Sequence, residues 1–118
     1  MLFRSSSRFL FEIRVKGAQW YLDSFTHGPG YNQPLMFPEK LHPTGQWYHV
    51  AQTFDGKTYR SFVDHKLQGE APLNFQPQGP GATSIGVRIN NVNFFRGAVA
   101  RARFTHRALE VSEFMPVP

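Results

Sequence analysis

The chain has 118 residues, of which 41% are hydrophobic and 15% aromatic, a composition that excludes an intrinsically disordered polypeptide. It contains no cysteine, which excludes disulfides, thiolate metal ligands and cysteine nucleophiles. The formal net charge of +5 is compatible with an anionic partner but does not require one. We expect a single all-β domain over residues 1–118, because ten glycines and nine prolines divide the sequence into short runs.

The first strand is predicted from Arg8 to Lys16, where apolar and polar residues alternate with the period of a half-buried strand. Arginines interrupt the apolar residues of this N-terminal region, so we expect neither a signal peptide nor a membrane span. The localisation is therefore left open. Gly17 permits a tight reversal into a second strand over residues 18–25.

The two faces of this first hairpin are predicted to differ in character. With Lys16-Gly17 as a two-residue turn, Ile13 lies opposite Trp20 on an apolar face that belongs to the core. The other face collects polar side chains of the kind that bind sugar hydroxyls, together with an aromatic ring that can stack on a pyranose. A solvated sheet face would have a similar composition. The candidate ligand-binding residues on this face are Glu12, Arg14, Gln19, Tyr21 and Asp23.

Residues 26–46 are rich in glycine and proline and are predicted to form a loop, with a brief extended piece at Leu35 to Phe37. His27, Tyr31 and Asn32 in this loop are candidates to extend the binding face at its rim, because binding residues concentrate on loops. A connector without a binding role would look the same.

A second hairpin is predicted around Asp55-Gly56, since Asp-Gly between two apolar-rich runs is a strong hairpin signal. A two-residue turn pairs Tyr48 with Val63, whereas a three-residue turn with a bulge pairs His49 with Val63. The two registers differ by one residue, so each places a different set of alternate side chains in the core. The sequence therefore leaves open which of Trp47 and Tyr48 is buried.

The closing part of the chain is predicted to contain a short strand with the sequence TSIGVRI, a turn at Asn90-Asn91 and a strand from Phe94 to Phe104. The tail is predicted to form a short helical piece of one or two turns. The alternation within these strands and the first two hairpins also predicts a buried core. Its expected members are Phe11, Ile13, Trp20, Leu22, Val63, Ile85, Val99 and Phe104.

Several of these segments together resemble one family. The run GQWYHVAQTFDGKTYRSFVDHKLQG is similar to the W-x-H-V-A-x-T-x-D-G hairpin of LamG-like jelly-roll domains, in the concanavalin A-like lectin/glucanase superfamily. TSIGV, and later FFRGAVARARFTHRALEVSEF, resembles the closing segment of that family with its Arg-Ala-Leu and terminal acidic residue. The ordered set covers the region from Phe9 to Phe114. It implies an antiparallel β-sandwich of the concanavalin A-like jelly-roll type.

The chain departs from the family pattern at several positions. Asp64-His65 stands where relatives have Asp-Gly, and Ala100 and Arg101 replace acidic residues of the closing strand. Relatives often hold calcium at one rim, but with eight acidic residues in the chain we expect no metal and no cofactor. The family's opening strands are not found before Phe9. We therefore expect an N-terminally shortened sandwich whose free edge pairs with a second copy in a homodimer.

No catalytic constellation is found in the sequence. The Glu-x-Asp-x-x-Glu motif of glucanases is absent, and the nearest carboxylate pair is Glu12 with Asp23, predicted to lie diagonally about 7–8 Å apart. Carboxylates on a solvent-facing strand are ordinary. No histidine pair has metal-ligand spacing, and neither a nucleophile elbow nor a nucleotide-binding motif occurs.

The sequence thus predicts a non-catalytic lectin-like domain that recognises carbohydrate, with a protein–protein assembly module as the alternative. A further possibility is a polyanion or nucleic-acid site built on the arginines of the closing strand, such as Arg101 and Arg103. It is less favoured, because the thirteen lysines and arginines are spread without clusters and no RNA-binding signature occurs. No membrane partner is expected.

Overall fold

The structure is a computed structural model that describes residues 8–75, 79–88 and 91–118. These residues form two antiparallel sheets, which confirms the predicted all-β sandwich. The described ranges contain seven strands and one short 3-10 helix: β1 (Arg8–Lys16), β2 (Gln19–Gly28), β3 (Tyr31–Met36), β4 (His42–Pro43), β5 (Val50–Phe54), β6 (Thr58–Val63), β7 (Lys66–Pro72) and the 3-10 helix (Val111–Glu113).

The first sheet has the strand order β1-β2-β3, with β4 paired to the beginning of β2, and the second sheet has the order β5-β6-β7. The core lies between the two sheets, where burial of each large apolar side chain contributes about 1.5–3 kcal/mol. Two clusters of buried residues form it: Tyr31, Leu35, Tyr59 and Leu73 in one, and Trp20, Leu22 and Val63 in the other.

The first hairpin has the predicted faces but a different turn. Ile13 pairs with Leu22 and not with Trp20, so the two-residue turn is Gly17-Ala18. The register is shifted by two residues from the predicted one, and an even shift leaves each side chain on its predicted face. Gly17 has a φ of +63°, as the first position of a type II′ turn requires.

The second hairpin follows neither of the two predicted registers. Val50 pairs with Val63, and the Asp55 N–H donates to the Thr58 carbonyl at 3.4 Å, so the two-residue turn is Gly56-Lys57. This register also differs by two residues from the two-residue-turn alternative, and it keeps that alternative's faces. The Asp55 carboxylate explains the shift, because its Oδ1 accepts the backbone N–H groups of Lys57 and Thr58 at 2.9 and 2.8 Å.

The ambiguity between the two neighbouring aromatic residues before β5 is resolved. Tyr48 is half-buried and packs edge-on against Trp20, with ring centroids 5.0 Å apart. Trp47 is 56% exposed. Tyr48 occupies the core position because it lies on the same strand face as Val50 and Val63.

The prediction that residues 26–46 form a loop is wrong for about half of that range, although Leu35 and Met36 are extended as predicted. β2 continues to Gly28, the chain reverses at Gly30, and β3 returns along β2. The glycine and proline content was misleading for a physical reason. β3 lies at the end of the strand order, where Pro34 interrupts no hydrogen-bond ladder to a further strand.

Half of the predicted core is not buried. Trp20, Leu22 and Val63 are buried and Ile13 is half-buried, whereas the exposed fractions of Phe11, Ile85, Val99 and Phe104 are 40%, 57%, 53% and 68%. Phe11 lies on the sandwich-facing side of β1, but β1 is the outermost strand of its sheet, opposite a second sheet of three strands. The other three belong to the closing segment.

The two strands predicted in the closing segment are wrong for its described residues, since no strand occurs in residues 79–88 or 91–104. The Arg88 N–H donates to the Val92 carbonyl at 3.2 Å and the Phe95 N–H to the Gly86 carbonyl at 2.7 Å, so the segment folds back on itself. Asn91, in the predicted turn, has a φ of +62°, whereas Asn90 lies outside the described residues. The short helical piece predicted in the tail is confirmed.

Candidate ligand-binding face

The five predicted residues of the first hairpin share the outer face of the first sheet, on the side away from the core. Arg14 lies opposite Tyr21 and Glu12 lies opposite Asp23 in the strand register. The five side chains share this face because a register shift of two residues leaves each side chain of both strands on its predicted side of the sheet. We call Glu12, Arg14, Gln19, Tyr21 and Asp23 the outer face.

An ion-pair network crosses the outer face. The Arg14 Nε donates to Asp23 Oδ2 at 2.8 Å, and its Nη2 lies 3.9 Å from Glu12 Oε2. Glu12 also accepts a hydrogen bond from the Nε of Arg88 at 2.6 Å. The hydrogen bond to Asp23 is the main reason that the pKa of Arg14 is raised above its usual value. The guanidinium groups thus hold both carboxylates in fixed orientations.

Arg88 was not predicted as part of this face. It is 76 residues away from Glu12 in the chain and reaches it from the fold-back in the closing segment. No periodicity or motif connects the two positions, so only the tertiary structure reveals the pair. Glu12 and Asp23 lie directly opposite one another, not diagonally as predicted.

The accessible groups of the outer face are Gln19, which is exposed, Tyr21, which is half-buried, and the side chain of Arg14, of which 51% is exposed. Asp23 is buried to 9% exposure and serves mainly to orient Arg14. The face therefore combines an amide, a phenol ring and a fixed guanidinium. These groups can supply hydrogen bonds and one apolar surface to a polar ligand.

The predicted rim residues do not join this group. His27 and Asn32 pair in register on the outer side, and His27 stacks near Phe25 with ring centroids 6.3 Å apart. His27 lies six residues along β2 from Tyr21, or about 20 Å at the usual rise of a strand. Tyr31 is buried in the core between the sheets, and a surface ligand therefore cannot reach its ring.

An aromatic cleft, which sequence reasoning missed, lies where β1, β5 and the tail approach one another. It has a volume of about 530 Å³, and Phe9, Phe54 and Phe75 are the aromatic residues of its lining. Polar and cationic residues line the remainder: Gln52, Thr53, Thr105, His106 and Arg107. These residues come from four separate segments of the chain, so no local pattern could have indicated the cleft.

A family model described as the concanavalin A-like lectin/glucanases superfamily matches residues 1–114. The chain belongs to this superfamily. Comparison with curated proteins finds no match. The chain is similar to the 2.1 Å crystal structure of an S-layer domain-containing protein (residues 221–444) from Clostridium thermocellum ATCC 27405, with 17% identity and a TM-score of 0.54. The similarity covers 96% of this chain and 63% of that one, and it supports the fold alone.

Superfamily membership agrees with the two antiparallel sheets and with a binding role in general terms. Across residues 8–75, 79–88 and 91–118, no three histidine or acidic side chains converge as metal ligands would. The same ranges contain no helix with the length and apolar character needed to cross a membrane.

Proposed function

We propose that this chain is a single non-catalytic sandwich domain that binds carbohydrate on its outer face. The observation that carries the proposal is the fixed Arg14–Asp23 ion pair directly beside Tyr21, on a face that the core does not use. An oriented guanidinium offers donors to sugar hydroxyls without further loss of side-chain freedom. The phenol ring of Tyr21 offers a surface for the C–H face of a pyranose. Membership of a lectin superfamily supports this assignment.

Two further features agree with the proposal. The carboxylates of Glu12 and Asp23 are each engaged by a guanidinium, which suits orientation of a ligand better than proton transfer to it. An extracytoplasmic location belongs to the same proposal, since glycans are abundant there. We expect the Tyr21 contact to contribute about 1–3 kcal/mol to the binding free energy, the scale of burying one such ring.

A glycan array on the purified chain, followed by calorimetry with a bound glycan, tests the proposal. Tyr21→Ala should weaken binding, whereas Phe104→Ala is a matched control because Phe104 is 68% exposed and adjoins Thr105, which lines the cleft at β5 in the second sheet. Arg14→Ala should also weaken binding by removing the oriented guanidinium. Equal affinities for the native chain and the Tyr21→Ala variant would show that the outer face is not the site.

Homodimer formation, as a protein–protein assembly module, is a second candidate that one observation favours. β1 is a nine-residue strand at the end of its sheet, and Val15 on it is 68% exposed. Two copies of β1 could pair edge to edge about a two-fold axis. Arg8, Arg14 and Lys16 oppose this pairing, because charged residues commonly protect strand edges. Light scattering behind a sizing column measures the oligomeric state. A monomer at micromolar concentration in moderate salt would exclude the dimer.

A further inference from the structure

β5 is an edge strand of the second sheet that the described residues form. The His49 carbonyl accepts the Asp64 N–H at 2.7 Å and the Asp55 N–H donates to Thr58, so odd-numbered residues of this strand bond to β6. The backbone N–H and C=O groups of Val50, Gln52 and Phe54 consequently point away from β6. Among the described residues, no backbone hydrogen bond from another segment satisfies them.

Apolar side chains of the first sheet, opposite this edge, are also exposed. Phe9 and Phe11 lie on the sandwich-facing side of β1, where they are 53% and 40% exposed. The side-chain amide of Gln52 donates to the Leu10 carbonyl at 2.9 Å, which places β5 beside β1 across the sandwich. A strand added to β5 would therefore lie over the phenylalanines of β1. Its inward side chains would complete the sandwich at this corner.

The aromatic cleft receives such a side chain. Phe54 and Phe75 contact each other with ring centroids 5.3 Å apart, and Phe9 lines the same space of about 530 Å³. Three rings of the lining thus lie beside the β5 backbone groups for which the described residues supply no backbone partner. The three rings suit an aromatic or large aliphatic side chain, and the volume leaves room for neighbouring residues of the same segment.

The polar part of the cleft lining indicates what kind of segment fits. It includes His106 and Arg107, and 63% of the Arg107 side chain remains exposed although its guanidinium pairs with Glu113. The whole chain carries a net charge of +5, so a second copy would bring like charge to the exposed guanidinium of Arg107. An acidic segment from a different protein is complementary instead.

We propose that the free edge of β5 and the aromatic cleft form a docking site for an extended acidic segment of another protein, which adds as a strand beside β5. The segment seats one large apolar side chain among Phe9, Phe54 and Phe75 and presents carboxylates to His106 and Arg107. Backbone hydrogen bonds supply affinity and the cleft supplies specificity, as in other cases of strand addition. This site is separate from the outer face.

The probe is a blocked nonapeptide in which phenylalanine and valine alternate with glutamate and threonine, with binding followed by fluorescence anisotropy. Two N-methylated versions of the peptide distinguish strand addition from other modes of binding. One carries methyl groups on its odd-numbered backbone nitrogens, and the other carries them on its even-numbered backbone nitrogens. In strand addition only alternate peptide N–H groups face β5, so one version should lose at least tenfold in affinity while the other binds. Equal effects of both versions, or no binding of the parent peptide, would overturn the proposal.

Variants of the chain test the location. Phe9→Ser should weaken peptide binding severalfold, and Met36→Ser is the matched control because Met36 is 45% exposed on the other side of the first sheet. A peptide with lysine in place of glutamate should also bind severalfold more weakly. A different outcome is that the chain forms a dimer, that Phe9→Ser dissociates this dimer, and that no peptide binds. In that case a second copy occupies the site and the proposed partner is wrong. Circular dichroism confirms that each variant is folded.

Discussion

The imidazole of His49 stacks on the ring of Phe114, with centroids 5.6 Å apart and planes inclined by 30°. Phe62 and His65 contact the same phenylalanine edge-on, at 5.2 and 5.6 Å. The Nε2 of His65 is also 2.8 Å from the Met115 carbonyl oxygen. These contacts attach the end of the chain to the second sheet, and we call His49, Phe62, His65 and Phe114 the aromatic clasp.

Phe114→Ala should lower the free energy of unfolding by about 3–5 kcal/mol, the usual cost of truncating a buried phenylalanine. Phe114 is 9% exposed, so its removal leaves a cavity against both histidines. Urea titration followed by circular dichroism measures the change. Phe104→Ala is the control, because Phe104 is 68% exposed and its truncation should change stability by less than about 0.5 kcal/mol. Comparable losses in the two variants would contradict the role of the clasp.

The stability of the fold should decline as the pH falls below about 6.5, the ordinary pKa of histidine. Burial lowers the pKa of His49, and His65 and Arg103 add to the effect, while Asp64 partly opposes it. The unfolded chain therefore takes up a proton at a higher pH than the folded chain does. The free energy of unfolding is therefore fully retained above the histidine pKa of the unfolded chain. It falls progressively as the pH is lowered from that value to the pKa of His49 in the folded chain.

Urea midpoints measured between pH 8 and pH 5 test this expectation. His49→Gln should flatten the pH dependence, since it removes the buried imidazole, whose Nδ1 has no hydrogen-bond partner among the described residues. His106→Gln, which removes an exposed histidine, is the control. If the urea midpoint of His49→Gln depends on pH as strongly as that of the native chain, another group causes the pH dependence.

Gly69→Ala should destabilise the fold by about 1–3 kcal/mol, the cost of overpacking a core. A Cβ at position 69 would come within 2.0 Å of the Phe37 ring, which packs against the core cluster of Tyr31 and Leu35. Gly81→Ala is the matched control, since a Cβ there meets no atom within 4 Å. Thermal unfolding of both variants gives the comparison, and equal melting temperatures would show that Phe37 moves aside freely.

The chain should lack polysaccharide hydrolase activity, with or without added calcium. The carboxylates of Glu12 and Asp23 form ion pairs with Arg88 and Arg14, so neither is arranged as a free general acid or base. Release of reducing sugar from a panel of polysaccharides is the measurement. Activity above background that Glu12→Gln abolishes would replace the binding proposal with a catalytic one.

The side-chain faces of both hairpins could be predicted from sequence, whereas the turn positions could not. Alternation fixes which residues share a face, and it is insensitive to a register shift of two residues. The turn position depends on local hydrogen bonds, such as those that the Asp55 carboxylate accepts from Lys57 and Thr58. A glycine in the sequence marks the turn to within one residue.

The closing segment and the full site were beyond sequence reasoning. Val99 and Phe104 lie in an apolar-rich run that is typical of a strand, but such a run does not show whether a neighbouring strand has free backbone groups to pair with. The contact of Arg88 with Glu12 and the assembly of the aromatic cleft depend equally on long-range packing. Only the part of the site that lies within one hairpin was predicted.

The burial of Trp20 beside the exposed Trp47 gives the molecule two distinct optical reporters. These are the two tryptophans of the chain. Trp20 is 5% exposed and contacts the rings of both His42 and Tyr48, whereas Trp47 is 56% exposed. Iodide should quench the emission of Trp47 and leave that of Trp20 nearly unaffected. In a Trp47→Phe variant, the blue-shifted emission of Trp20 would then report only on the packing of the two sheets, without any attached label.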